Sequence, residues 1–420
     1  MRVIRFLLVI LCSGLLGYYV GVNRITFAWE NYRPDVQISS KEPPPSVTTA
    51  DFSKFWIVLN KLQTSYYDQT AFDAEKIVNG AIAGMVESLE DPYTVYLPPQ
   101  QNNDFKQSLA GKFEGIGAEL GMNEKQIIVV APLDGSPAQK AGVRSGDAIV
   151  KVGDEATFGW TIQQAVDKIR GEKGTKVKLT VVHKDTQKLV DVSITRDTIQ
   201  MKSITSWVKP VKDIDEINQS SVLKSLANKK VAYVRLSQFG DTANREWLSV
   251  ANELGQKVRE DKEIEGVVFD LRNNPGGYLT DAVFISSEFL KSENTVVIQD
   301  DGKGKQVKMD VNRQGLLLDI PLVILINKGS ASASEIVSGA MRDNKRALLV
   351  GETSFGKGTI QQAEDLGEGA GLHVTIAKWL TPNQTWVHKN GLKPDVEAKV
   401  DTKDPSHDSQ LEKAIETVLK

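Results

Sequence analysis

A chain of 420 residues is longer than one hydrophobic core supports, so two or three domains are expected. Its 40% hydrophobic and 25% charged residues exclude a fibrous or disordered class, and 51 basic against 54 acidic residues with no long basic block leave no footprint for nucleic acid. The single cysteine, Cys12, excludes an intrachain disulfide, and His183, His373, His388 and His407 fall at no metal-ligand spacing, so neither cofactor nor metal is expected.

Arg2 and Arg5 precede an apolar run from Phe6 to Val22, followed by Asn23 and Arg24. A positive end before an apolar stretch is the layout of a secretory signal. The stretch reaches the lower limit for a spanning helix, roughly 17 residues, and no small-x-small cleavage site follows it. Residues 1–25 are therefore expected to form an uncleaved membrane anchor, with everything after Asn23 on the extracytoplasmic side of the cell membrane. Residues 26–50, with Pro34, Pro43, Pro44 and Pro45, show neither helical nor strand period and read as a linker. Over 51–98, Phe52, Phe55, Trp56, Leu59 and Leu62 share one helical face, and Ile77, Ala81, Met85, Val86 and Leu89 another. This predicts two or three helices ending at Asp91-Pro92.

Residues 99–198 read as a small β-rich module: strands at Ile127–Val130, Val177–Val182 and Val190–Thr195, and a helix at Thr161–Ile169. The Gly115-Ile116-Gly117 loop, with Ser136-Pro137-Ala138, Ala141-Gly142-Val143 and Gly146-Asp147, resembles a PDZ domain. Glycines in such a loop let successive N–H groups converge on a carboxylate while a peptide adds a strand to the sheet edge. The module is then a reader of free C-termini, with Gly115, Ile116 and Gly117 at the tail.

Residues 199–400 alternate buried strands (Val231–Leu236, Gly266–Leu271, Pro321–Ile326, Ala347–Val350) with helices (Trp247–Val258, Leu279–Leu290, Ser334–Met341), predicting an α/β core with a largely parallel sheet. Asn327-Lys328-Gly329-Ser330-Ala331-Ser332-Ala333-Ser334-Glu335 lies at a strand-to-helix turn, where free N–H groups and the helix dipole favour an oxyanion. Spacing does not choose among the three serines, and Ser334 before Glu335 also suits a plain helix cap. No histidine stands in a recognisable relation to them. The candidate base is Lys357, flanked by Gly356 and Gly358 after a buried strand, where desolvation lowers an amine's pKa. Gly351 to Lys357 also fits G-x-x-x-x-G-K, but Gly358 stands where a phosphate loop needs Ser or Thr, and Thr359-Ile360-Gln361 does not read as its helix.

Together with Asp270-Leu271-Arg272-Asn273-Asn274-Pro275-Gly276-Gly277, these motifs resemble the C-terminal processing peptidases, or tail-specific proteases, over roughly residues 50–400. The resemblance implies a multidomain α/β protein, a PDZ domain before a ClpP/crotonase-like peptidase core, that cuts proteins near apolar C-terminal tails. It makes Ser332, the middle serine, the nucleophile, Lys357 the general base and Gln361 the residue that orients the amine. It assigns the oxyanion hole to the N–H groups of Ala333 and of Gly276 or Gly277, and gives Arg170 a part in coupling tail binding to activity. Asp343 matches an aspartate discussed in other members, although a helix-end charge is the plainer reading. A homodimer is implied by resemblance alone, and the tail helix, Gln410 to Leu419 within 401–420, is expected against a partner subunit. The rival class is a PDZ scaffold on an inactive peptidase core.

Overall fold

The computed structural model describes residues 51–420 except 69, 71, 134, 185, 218–220, 402–403 and 405–406, together with the backbone of 25–30 and 33–38. The apolar run Phe6–Val22 lies outside the described residues, and among those described no helix is long and apolar enough to cross a membrane. Two compact units divide between Val78 and Asn79.

In the first unit, β1 (Ile25–Glu30) pairs antiparallel with β2 (Arg33–Ile38), placing Trp29 opposite Pro34. This corrects the linker reading of 26–50. Both strands of a two-stranded ribbon are edges, so the proline that argues against a strand is tolerated there. Helix α1 (Ser53–Ser65) follows and buries none of its residues; α2 (Ala74–Glu87) begins in this unit.

The second unit opens with the rest of α2, then β3 (Val95–Leu97) and α3 (Pro99–Leu109). The sequence pattern concealed α3: its apolar content is low, and its start is marked only by Pro99 in the first turn, where proline costs no hydrogen bond. The β-rich module follows as β4 (Lys112–Gly115), β5 (Ala118–Asn123), β6 (Gln126–Pro132), the single-turn α4 (Pro137–Lys140), β7 (Ala148–Val152), β8 (Glu155–Ala156), α5 (Ile162–Ile169), β9 (Lys176–Val182), β10 (Leu189–Thr195) and β11 (Asp197–Gln200). Its sheet runs β10-β9-β7-β6-β5, with β8 on β7, and β4 pairs instead with β11. Ile127 and Val129 on β6, and Leu179 and Val181 on β9, are fully buried, as the two-residue strand period requires. Thr161 caps α5 through a reciprocal capping box with Gln164. Among the described strands β5 is an edge, and α5 packs beside it.

The remaining elements are β12 (Ile204–Pro210), α6 (Ser221–Ser225), β13 (Lys230–Leu236), α7 (Ala243–Glu260), β14 (Ile264–Asp270), α8 (Leu279–Ser286), β15 (Thr295–Asp300), β16 (Gln306–Asp310), β17 (Leu322–Ile326), α9 (Ala333–Asp343), β18 (Leu348–Gly351), β19 (Thr359–Gly367), β20 (Ala370–Leu380), β21 (Val396–Glu397) and α10 (Ser409–Val418). The main sheet has the order β12-β13-β14-β17-β18-β21 and is parallel except for β12. Its central strands are buried on both faces. On β14, Val267 and Phe269 join a core with Trp247 of α7, Ile285 of α8 and Val337 of α9, while Val268 joins a second core with Leu411 and Ile415 of α10. A second sheet, β16-β15-β20-β19 with β3 on β20, was not foreseen.

Helix α10 corrects the expectation that the tail helix packs on a partner. Leu411, Ala414, Ile415 and Val418 are buried against the chain's own sheet, and a Cβ on Gly266 would lie 2.6 Å from Val418. At about 1.5–3 kcal/mol for each large apolar side chain removed from water, this helix is part of the core's stability.

Candidate active site

The turn between β17 and α9 separates the three serines. Ser330 is buried, donating its hydroxyl to the Leu271 carbonyl at 2.8 Å and accepting from the Asn327 N–H at 3.0 Å. Ser334, also buried, donates to the Asn274 carbonyl at 2.9 Å. Both hydroxyls are committed to holding the turn. Ser332 is half-buried and sits at φ 54°, ψ −113°, outside the regions that L-residues favour. Among the described hydrogen bonds none takes its hydroxyl as donor.

Glu335 joins this turn to the lysine loop. Its carboxylate, fully buried, accepts from the N–H of Ser332 at 2.8 Å, of Lys357 at 2.9 Å and of Gly356 at 2.6 Å, and from the Ser354 hydroxyl at 2.6 Å. Charge-assisted bonds of this kind are roughly twice as strong as neutral ones. One side chain thereby fixes the main chain of both Ser332 and Lys357. Sequence reasoning passed over Glu335, although the Ser332-x-x-Glu335 capping-box spacing was its visible signal.

Burial pushes the Lys357 amine below the ordinary lysine range, against the opposing pull of the Asp91 and Glu335 carboxylates. Its carbonyl accepts from the Trp379 indole at 2.9 Å, and its Nζ stands 5.1 Å from the centre of the Tyr93 ring. Gln361, on β19, does not donate to this amine. Its amide donates to the hydroxyls of Thr359 at 2.9 Å and Thr375 at 3.2 Å.

The Asn274–Gly277 turn closes on the same place. Asn274 accepts from the Ala331 N–H at 3.0 Å, and its side chain accepts from the Gly276 N–H at 2.9 Å. A Cβ on Gly276 (φ +96°) would lie 2.8 Å from Ser332 Cβ and 2.9 Å from the Ala333 nitrogen, so only glycine permits this approach. The Gly276 N–H is thus already taken by Asn274. Gly277 is itself pressed against Phe239, where a Cβ would fall 1.6 Å from the carbonyl oxygen. The turn is anchored from behind by Arg272, which is bonded to Asp270 at 2.6 Å and to Asp408 at 2.8 Å. Asp343 is not brought here. It ends α9, about 16 Å from Ser332 at 1.5 Å per residue, and accepts from the Asn383 N–H at 3.0 Å.

In the β-rich module, Ile116 is buried and its carbonyl accepts from the Ala138 N–H at 2.8 Å, while Gly117 (φ +71°) accepts from Leu133 at 2.9 Å. Gly115 pairs with Asp197. Arg170, at the end of α5, lies 5.1 Å over the Phe113 ring. It borders a cleft of about 630 Å³ that Gln107 of α3 and Ser237 and Gln238 of the core also line.

Residues 230–398 match the model of peptidase family S41, residues 128–182 that of the PDZ domain, and residues 11–100 that of the activating protease CtpB N-terminal domain. The carboxy-terminal processing protease CtpB of Bacillus subtilis (strain 168) is 37% identical over 92% of this chain and 75% of its own. CtpA of the same strain is 35% identical over 84% and 71%. The solved photosystem II D1 C-terminal processing protease is 27% identical, with a TM-score of 0.51, over 87% of this chain and 91% of its own. The chain belongs to peptidase family S41, and is a serine protease of the carboxy-terminal processing kind with a PDZ domain.

Proposed function

We propose that Ser332 and Lys357 are the nucleophile and general base of an endopeptidase that cuts proteins near C-terminal tails held by its PDZ domain. The observation that carries this reading is the Glu335 carboxylate, which ties the Ser332 and Lys357 main chains to one buried point. The neutral Lys357 amine takes the Ser332 hydroxyl proton as Oγ bonds to the scissile carbonyl carbon. The oxyanion is met by the N–H groups of Ala333, in the first turn of α9, and of Gly277. The C–N bond then breaks, Lys357 returns the proton to the leaving amine, and the C-terminal fragment departs. Water gives its proton to Lys357, attacks the acyl ester and frees Ser332.

An apolar tail would lie along the free edge of β5 beside α5, its carboxylate at the Gly115–Gly117 loop. Arg170, between that loop and the cleft facing the core, is placed to couple the two. The run Phe6–Val22 serves as the anchor that holds the catalytic part outside the cytoplasm, and alkaline extraction of membranes should leave the chain in the pellet. Mass spectrometry of an apolar-tailed protein incubated with residues 26–420 tests the chemistry. Wild type should release a C-terminal fragment, and Ser332→Ala and Lys357→Ala should each release none. Cleavage by either variant, or none by wild type, would overturn the catalytic assignment, the latter in favour of a scaffold.

A further inference from the structure

We infer that Tyr93 is a positioning residue for the Lys357 amine, its ring covering Nζ from a turn built for that purpose out of Asp91, Pro92 and Thr94. The inference rests on the reading of Lys357 as the base.

The ring centre lies 5.1 Å from Lys357 Nζ. Around Asp91 the turn closes on itself: the Tyr93 N–H donates to its carboxylate at 3.1 Å and the Thr94 hydroxyl at 2.7 Å. The Thr94 hydroxyl in turn accepts from the Thr375 N–H at 3.0 Å, and the strand that follows, β3, pairs with β20. The turn is therefore stitched to the sheet that carries the lysine loop. The Trp379 indole donates to the Lys357 carbonyl at 2.9 Å and the Trp386 indole to the Gly358 carbonyl at 2.8 Å. The two indoles hold the main chain of the loop, and Tyr93 turns its aromatic face to the amine.

The Gln361 NH2 donates to Thr359 and Thr375, and among the described hydrogen bonds none joins its carbonyl oxygen to the Lys357 amine, which leaves that task open. The charged and titratable groups around the amine are Asp91 and Tyr93 from the turn, Glu335 from α9, His373 from β20, His388 beyond it and Lys378, whose amine stands over Trp386. Asp91 and Glu335 favour the ammonium form. A ring face also attracts a cation. What offsets them is exclusion of water, the largest influence on this lysine, and the ring supplies part of that cover. Burial, with Glu335 and Asp91, raises the Tyr93 phenol above its ordinary value.

The test is the pH dependence of kcat/KM on a tailed peptide for Tyr93→Ala, Tyr93→Leu and Tyr93→Phe, with Lys357→Ala as control. Tyr93→Ala should admit water to the amine and move the ascending limb to higher pH. One unit of lysine pKa would mean about tenfold less activity on the acid side of the limb, recovered at alkaline pH. Tyr93→Leu keeps apolar cover and Tyr93→Phe keeps the ring, so both should retain the wild-type limb. A Tyr93→Ala limb at the wild-type position, or a Tyr93→Phe limb displaced as far as that of Tyr93→Ala, overturns the inference. If Tyr93→Ala does not fold, a Tyr93→Phe or Tyr93→Leu limb displaced upward overturns it equally. Activity persisting in Lys357→Ala would instead sink the Ser-Lys assignment, so the two failures are distinguishable.

Discussion

Replacing Glu335 with Gln tests the link between the serine turn and the lysine loop. Each oxygen of the wild-type carboxylate accepts two hydrogen bonds: one from Ser332 and Lys357, the other from Gly356 and Ser354. A glutamine keeps one oxygen. Its best orientation leaves that oxygen on Ser332 and Lys357 and turns the NH2 toward Gly356 and Ser354. Ser354 can rotate to accept, but the Gly356 N–H cannot, and a buried donor left without a partner costs about 1–3 kcal/mol. Losing the charge weakens the two bonds that remain by about 1 kcal/mol each. The total, about 3–5 kcal/mol, is a large share of a typical domain's stability. If about 3 kcal/mol of it is expressed as displacement of the lysine loop, kcat falls by about two orders of magnitude. Urea unfolding measures the first quantity and steady-state cleavage of a tailed peptide the second, with KM expected to change little. A Glu335→Gln protein with the wild-type urea midpoint and kcat within about twofold of wild type would refute the reasoning.

Asp408→Ala should cost about 1–3 kcal/mol, because the largely buried Arg272 loses the half-buried one of its two carboxylate partners. Burial would raise the Asp408 pKa, but the Arg272 hydrogen bonds and charge outweigh it and hold the carboxyl below its ordinary value of 3.8. Its contribution is therefore present above that pH and lost as pH falls through the depressed value, so the gap between variant and wild type in acid urea titrations should close below about pH 4. Gly277→Ala should fold poorly or not at all, at a cost above about 4 kcal/mol, since its Cβ would coincide with the Phe239 carbonyl; soluble yield and melting report it. Gly117→Ala combines φ +71° with a Cβ 2.6 Å from that of Ser136, and should raise KM for a tailed peptide by about tenfold or more while sparing hydrolysis of a short ester.

Much of the fold was legible because its signals are local. The buried strands β13, β14, β17 and β18 are continuous apolar runs, and α9 announces itself by the small residues before it. The hairpin β1-β2 was not legible, since Pro34 obscures the strand pattern. Nor was the β15-β16-β19-β20 sheet: β19, as TIQQAEDLG, is mostly exposed and polar, so no apolar period marks it. At the site, local spacing left three serines equal. Ser330 and Ser334 are eliminated only by partners at Leu271 and Asn274, far away in sequence. Glu335 was passed over because three of its four donors belong to the 354–357 loop, which only folding brings to it. Asp408 and Tyr93 were invisible for the same reason: each meets its partner, Arg272 or Lys357, across more than a hundred positions of sequence.

The backbone of Ser332 is held in a conformation that costs an L-residue about 1–3 kcal/mol. Glycine pays none of that strain, though it loses about 0.5–1 kcal/mol through the freedom of its unfolded chain. A Ser332→Gly protein should then be inert yet harder to unfold than the enzyme, by roughly 1 kcal/mol. Stability alone would favour glycine at this angle, so the fold carries Ser332 there at a cost.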